Sequence, residues 1–407
     1  MRPFPHRRCV TLRWLGFALC LALSCLFATR LRGQTAIYWN GKIGAADWHQ
    51  GYDAEDESST PTWVSTSTGY GIPAPAYPDS NTVAYFVNRS SRNQLGGNST
   101  LASLIFLNSN ASVRGLVFDR GIDLLGSSAR LSVGSDGIVL NSDWAYLALN
   151  TLELTASQTF NVAAGNSGLT VEGVVTAGSP ATLTVDAGSP VTFNYGGLTG
   201  GVTLVKNGNE ALTVYGRFDP TGSVTVNGGL LDITLDSSYT PTFTVANSFS
   251  LASGTTLQLT AYYDPVQLTG TISGAGTLKL RSDTVISGTN SHSGGTVIGN
   301  ENVTGPVVTF NAAANFGTGP VTLSNAELVW AGGNTADISD LFTSFTGDSV
   351  VFNTNGNDVT FATGLAGDAF LFKGGAGTLT LTGNGTHTGN FRAYEGTLQI
   401  GNGGTSG

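Results

Sequence analysis

Residues 204–233 and 371–400 align without a gap at an offset of 167 positions, and this internal repeat limits the possible folds more than any other feature of the chain. Lys206 falls on Lys373, Gly208 on Gly375, Leu212-Thr213 on Leu379-Thr380 and Gly216 on Gly383. Further along, Thr221-Gly222 falls on Thr388-Gly389, Gly229 on Gly396, Leu231 on Leu398 and Ile233 on Ile400. A looser third copy opens at Gly274 (GAGTLKL) and resumes at 287–298 (SGTNSHSGGTVI), where Gly288 and Gly294 keep the same six-residue glycine spacing. Glycine is required where a backbone turns sharply or takes a positive φ. On that basis Leu379 and Leu381 point inward, Gly383 and Gly389 permit two corners, and Leu398 and Ile400 pack onto the core. So small a unit cannot bury its apolar face alone and has to stack on its neighbours.

The rest of the chain is written in the same style. From Thr82 onward it is a succession of short strands separated by Gly, Asn, Asp or Ser, among them 82–87 (TVAYFV), 103–107 (SLIFL), 115–118 (GLVF), 137–140 (GIVL) and 182–185 (TLTV). Strict alternation in 223–226 (SVTV) and 256–260 (TLQLT) predicts one buried and one wetted face. No segment carries a capped helical stripe, so the βαβ route to a parallel sheet is closed. With 56 glycines and 11% charged residues the composition suits strands and tight turns, and 40% hydrophobic content separates it from a disordered linker. On composition and spacing alone a β-propeller stays open beside a β-helix.

The text Gly375-Ala-Gly-Thr-Leu-Thr-Leu-Thr-Gly-Asn-Gly-Thr-His-Thr-Gly389, followed by Tyr394-Glu-Gly-Thr-Leu-Gln-Ile-Gly401, resembles the autotransporter-associated β-strand repeat family of bacterial surface proteins. The copies at 204 and 274 match in part; 115–142 and 78–86 resemble N-terminal portions of such proteins more loosely. The resemblance implies an all-β fold, a right-handed parallel β-helix, forming the passenger region of a secreted protein. The chain departs from the family where anchoring matters. It has no run of alternating strands for a translocating barrel, no C-terminal sorting signal and no polar cap after the last repeat. The expectation is one piece of a larger surface object, or a chain anchored and capped by another protein.

Residues 1–33 read as a signal peptide. Arg2, Arg7, Arg8 and Arg13 precede the apolar run Trp14–Ala28, which is too short for a comfortable membrane span. Cleavage is expected near Gly33 or Ala36; an uncleaved anchor and a lipoprotein at Cys25 are the alternatives. Cys9, Cys20 and Cys25 all lie in this leader, so no disulfide or thiolate metal site follows it. Beyond residue 33 there are 12 basic and 27 acidic residues, a balance of −15 that argues against nucleic acid as a partner. Residues 34–100 carry Trp39, Trp48, Trp63, an acidic run at Asp53–Glu57 and prolines at 73, 75 and 78. They read as an irregular N-terminal cap over a β-helix that runs from 101 to 407, its repeats clearest at 204–233, 274–300 and 371–404. A solenoid needs such a cover for its exposed end.

Chemistry is sparse. His292 and His387 occupy equivalent repeat positions, but Pro220 fills that slot in the first copy, and no carboxylate or Cys stands at ligand spacing. His49 stands apart, in the cap. Asp232, Asp236, Asp264, Asp283, Asp337, Asp340, Asp348 and Asp358 are scattered, and Asn141-Ser-Asp143 has no nearby cation. Neither a calcium repeat, a nucleophile elbow nor a phosphate loop appears. No catalytic, cofactor or metal residue is therefore assigned, and the residues singled out define the repeat: Gly216, Gly222, Gly229, Gly288, Gly294, Gly383, Gly389 and Gly396. The expected function is a non-catalytic surface or passenger protein, structural or adhesive, contacting extracellular glycan or protein through exposed Tyr262-Tyr263 or the cap tryptophans. The alternative is a polysaccharide lyase or hydrolase.

Overall fold

The computed structural model describes residues 130–403, apart from 142–143, 237, 239–242, 300–304 and 346–348, together with four earlier strands, Thr35–Trp39, Trp63–Val64, Thr82–Val87 and Ser99–Leu107. These residues form a parallel β-solenoid of about 12 turns with almost no helix. The repeat pattern explains why. Each strand places alternate side chains inward, and successive coils stack like upon like. One inner column runs Leu169, Val191, Leu212, Leu231, Leu257, Leu278, and beside it runs Val171, Phe193, Val214, Ile233, Leu259, Leu280. All of these are buried, and each contributes about 1.5–3 kcal/mol of burial. The outer column between them reads Thr170, Thr192, Thr213, Asp232, Gln258, Lys279. Toward the C-terminal coils the core turns aromatic, with ring centroids of Phe310 and Trp330 4.8 Å apart and those of Phe352 and Phe361 5.3 Å apart.

The ladder reaches back into the region read as a cap. Thr35–Trp39 pairs in parallel with Thr82–Val87, which pairs with Ser99–Leu107, which pairs with Arg130–Asn141. On its other edge Thr35–Trp39 is covered by Trp63–Val64, the one antiparallel pairing among the described strands, with Trp39 opposite Trp63. This pairing covers Tyr38 and Trp39 of the first strand. The leader, His49, Trp48, the Asp53–Glu57 run, the strand expected at 115–118 and Asp143 lie outside the described residues.

The repeat glycines are needed for two different reasons. Gly216, Gly229 and Gly396 have φ of +107°, +63° and +67°. At the other five, sharp turning by positive φ is not the cause; the preceding coil lies too close for a side chain. A Cβ at Gly288 would stand 1.8 Å from Gly270 O, at Gly294 2.5 Å from Gly276 O, and at Gly383 2.2 Å from Gly364 N. Gly389 would meet Ala369 O at 2.2 Å, and Gly222 would meet Thr203 Oγ1 at 2.3 Å. Three of these five contacts are glycine on glycine.

The last repeat departs from expectation at its end. Leu379 is fully buried, Leu381 and Leu398 are partly buried against the core, but Ile400 is 62% exposed. Its counterpart Ile233 is fully buried because Leu259 of the following coil lies over it. Thr397–Ile400 has only the preceding strand, Thr378–Leu381, as a partner among the described residues.

Candidate functional site

The pair Lys206 and Lys373, aligned by the repeat, proves to be structural. Both are fully buried at inward-facing positions, Lys206 in register with Val185 and Val226, Lys373 with Phe352 and Ala393. The Lys206 ammonium donates to the carbonyls of Asn207, Gly208 and Gly228 at 2.8–2.9 Å. Lys373 donates to those of Gly374, Gly375 and Glu395 at 2.8, 2.7 and 3.3 Å. Each lysine thus ties its own turn to the turn of the next coil. Burial pulls the pKa of Lys206 down to about 8, against the opposing charges of Glu210 and Asp186. Burial likewise lowers that of Lys373, opposed by Glu395 and Asp358. These ammonium groups have no exposed surface and no carboxylate within bonding distance, so they act as clamps.

A second cluster stands outside. The column Gly173, Tyr195, Gly216 crosses one corner of the solenoid, and all three residues have positive φ, +65° at Tyr195. Gly216 abuts this tyrosine closely; a Cβ on it would lie 2.4 Å from Tyr195 O. Tyr263, 88% exposed, has φ of +82°. A left-handed backbone at a bulky residue costs about 1–3 kcal/mol, and such strain gathers at ligand sites. The rings form one group: Tyr195 and Tyr215 lie 5.9 Å apart edge to face, and Tyr215 and Tyr262 6.2 Å apart. Tyr215 Oη donates to Asp236 Oδ2 at 2.5 Å and Ser238 N to Oδ1 at 2.8 Å. The Tyr215 bond, followed by the Ser238 bond, holds the Asp236 carboxyl below its usual range. Sequence reasoning identified Tyr262-Tyr263, counted Asp236 only among scattered acids, and missed Tyr195 and Tyr215. The available signal was tyrosine placed directly before glycine, Tyr195-Gly196 and Tyr215-Gly216.

Beside that corner the ladder breaks. Phe218–Pro220 pairs with the preceding coil and Thr244–Val245 with the following one, but the two do not pair with each other. Leu198 N donates to Arg217 O, and Thr221 N to Gly200 O. By alternation, residues 218 and 220 turn their backbone groups to the break, and Pro220 has no N–H to offer there, while Gly222 N donates to Val202 O of the preceding coil. Asn247 Nδ2 bridges the gap instead, donating to Pro220 O at 2.6 Å and Gly222 O at 3.0 Å. What is left is an open groove of about 340 Å³ lined by Asp219, Thr221, Ser223, Thr244, Asn247 and Ser248, with Pro220 on its wall.

The histidines part company. His292 is fully buried, with Nε2 3.0 Å from Thr296 Oγ1, whose hydroxyl donates to Phe316 O. Burial holds its pKa below the ordinary value, opposed by the Gly295 backbone. Neither ring nitrogen of His387 has a hydrogen-bond partner. Four ladder steps lie between the strand before His292, Thr284–Ile286, and the one before His387, Phe370–Gly374, roughly 19 Å and too far for a shared ion. Among the described residues no group of three or more His, Cys, Asp or Glu is placed to hold a metal. Several scattered aspartates serve the backbone: Asp283 accepts from Val307 N, Asp358 from Thr378 N, and Asp337 from both Ser339 N and Ala362 N. Asp232 differs. Burial raises its pKa, against the Gln258 hydrogen bond and the charges of Arg281 and Lys279, and its Oδ1 has no hydrogen-bond partner.

Compared with known proteins, the chain matches no protein-family model, no curated sequence and no solved structure.

Proposed function

We propose that this is an exported, non-catalytic surface protein, akin to autotransporter passengers, whose solenoid displays an adhesive face. The observation that carries the reading is the tyrosine corner. Three tyrosine rings, Tyr195, Tyr215 and Tyr262, are gathered beside the exposed Tyr263 on a scaffold whose inside is filled, with Tyr195 and Tyr263 in strained backbone. Aromatic rings held by a rigid frame lose little entropy on contact and suit the apolar faces of sugars or a protein partner. The leader and the cysteine-free remainder of the chain support export, and the repeat match supports the family likeness. Secretion or display at the bacterial cell surface follows from that reading, with an anchoring or translocating partner outside this chain. A purely structural surface layer is the weaker version of the same reading, because it leaves the strained tyrosines without a use.

The polysaccharide-active enzyme is the second reading, and Asp232 is what favours it: a carboxyl biased toward its protonated form beside Arg281 and Lys279. Hydrolysis needs a second carboxylate across the bond, and the residues in register with Asp232 are Thr213 and Gln258. The test is cell adhesion. Deleting the gene and restoring it with Tyr262→Ser/Tyr263→Ser should leave adhesion to a glycan-coated or matrix-coated surface at the level of the deletion. Full adhesion of the deletion strain sinks the adhesive reading. New reducing ends or unsaturated products from a polysaccharide panel would favour the enzyme.

A further inference from the structure

We propose that the groove at the ladder break is a binding subsite for a neutral saccharide, a reading that rests on the adhesive function and gives it a ligand class. The break itself is built in. Pro220 withholds the N–H that would zip Phe218–Pro220 to the next coil, and Asn247 occupies both carbonyls, Pro220 O and Gly222 O, that an added strand would use. An extended peptide therefore finds little backbone to pair with. The side chains offer something else. Thr221, Ser223, Thr244 and Ser248 supply hydroxyls that both donate and accept, and Asp219 supplies a carboxylate. Arg217 engages Asp219 through Oδ2 alone, by Nε at 2.8 Å and Nη2 at 2.5 Å, so Oδ1 keeps its acceptor capacity. A fixed carboxylate acceptor among hydroxyls matches the vicinal hydroxyls of a pyranose.

Size and charge narrow the class. A volume of about 340 Å³ is at the small end for ligand sites, room for one or two sugar rings. Asp219, together with a balance of −15 beyond the leader, disfavours uronic or sialic acids. Asp219 lies four residues beyond Tyr215, one corner further along the same coil. A glycan longer than the groove runs from Asp219 past Arg217 toward the tyrosines.

The experiment is calorimetric titration of the purified protein with cellohexaose, mannohexaose, laminarihexaose and, as the acidic control, hexagalacturonate. We expect at least one neutral hexasaccharide to bind and hexagalacturonate not to. Ser248→Trp, at an exposed position, fills the groove and should weaken binding at least about tenfold with unchanged thermal unfolding. Asp219→Asn keeps the shape, removes the charge and should weaken it several-fold. Binding by none of the neutral sugars, preference for the acidic one, or undiminished affinity in both variants overturns the proposal. The same variants in the adhesion assay separate the two claims. If they adhere normally while Tyr262→Ser/Tyr263→Ser does not, the groove fails and the adhesive face stands. Sugar binding in the groove by a protein whose loss leaves adhesion intact has the opposite meaning.

Discussion

A buried lysine is costly unless its ammonium is satisfied, and in Lys206 and Lys373 three carbonyls do that work at each site. Lys206→Met removes the charge but strands those acceptors, so a loss of about 3 kcal/mol in urea unfolding is expected. The pH dependence has a definite sign. The pKa of Lys206 falls from 10.5 to about 8 on folding, so between these values the unfolded chain holds more protons and stability rises with pH. Unfolding curves at pH 7.5 and 9.5 should show this rise in the native protein and a smaller one in Lys206→Met. His292 acts at the other end of the scale. Its pKa is lowered, so as pH falls below about 6.5 the unfolded chain gains a proton that the folded one resists, and stability drops. His292→Gln, keeping a donor for Thr296 Oγ1, should flatten that acid limb.

Elements are joined here by contacts that side chains would obstruct. Gly288→Ala drives a Cβ into Gly270 O and is expected to cost about 3 kcal/mol or more in thermal or urea unfolding. Gly254→Ala, at φ of +77° with nothing within 4 Å, should cost only the backbone term of about 1 kcal/mol. Equal losses at the two positions would contradict the stacking explanation. The strands, the inward leucines and the need for these glycines were legible in the sequence, because period-two alternation and glycine spacing encode them directly. The reason for each glycine was not, since close approach of another coil depends on residues about twenty positions away. Lys206 and Lys373 were visible as a matched pair to which no role was given; their burial follows from carbonyls converging in turns that sequence does not draw. His292 and His387 were equivalent in the repeat yet lie in different surroundings, one bonded to Thr296 and one without a partner. Pro220 was read as filling a permissive turn slot, whereas it sits in a short strand and breaks the ladder on its far side. Asn247→Ala, which leaves Pro220 O and Gly222 O without their donor, should lower stability by about 1–3 kcal/mol.

At the scale of the whole molecule the solenoid is a rod with a filled interior, so any recognition has to occur on its flanks. The tyrosine corner and the groove are built from consecutive parts of one coil, Tyr215 and Asp219 being four residues apart. Both depend on the coils being stacked in the register described, and that register is the claim on which the rest stands. It can be measured across seven ladder steps, from Thr170 through Thr192, Thr213, Asp232, Gln258, Lys279 and Val297 to Thr322. With Cys9, Cys20 and Cys25 changed to serine, spin labels at Thr170→Cys and Thr322→Cys report the distance by pulsed electron resonance. A continuous parallel ladder predicts a narrow distribution near 34 Å, about 4.8 Å per step. A broad distribution, or a peak far from that value, would contradict the stacked solenoid and every site built on it.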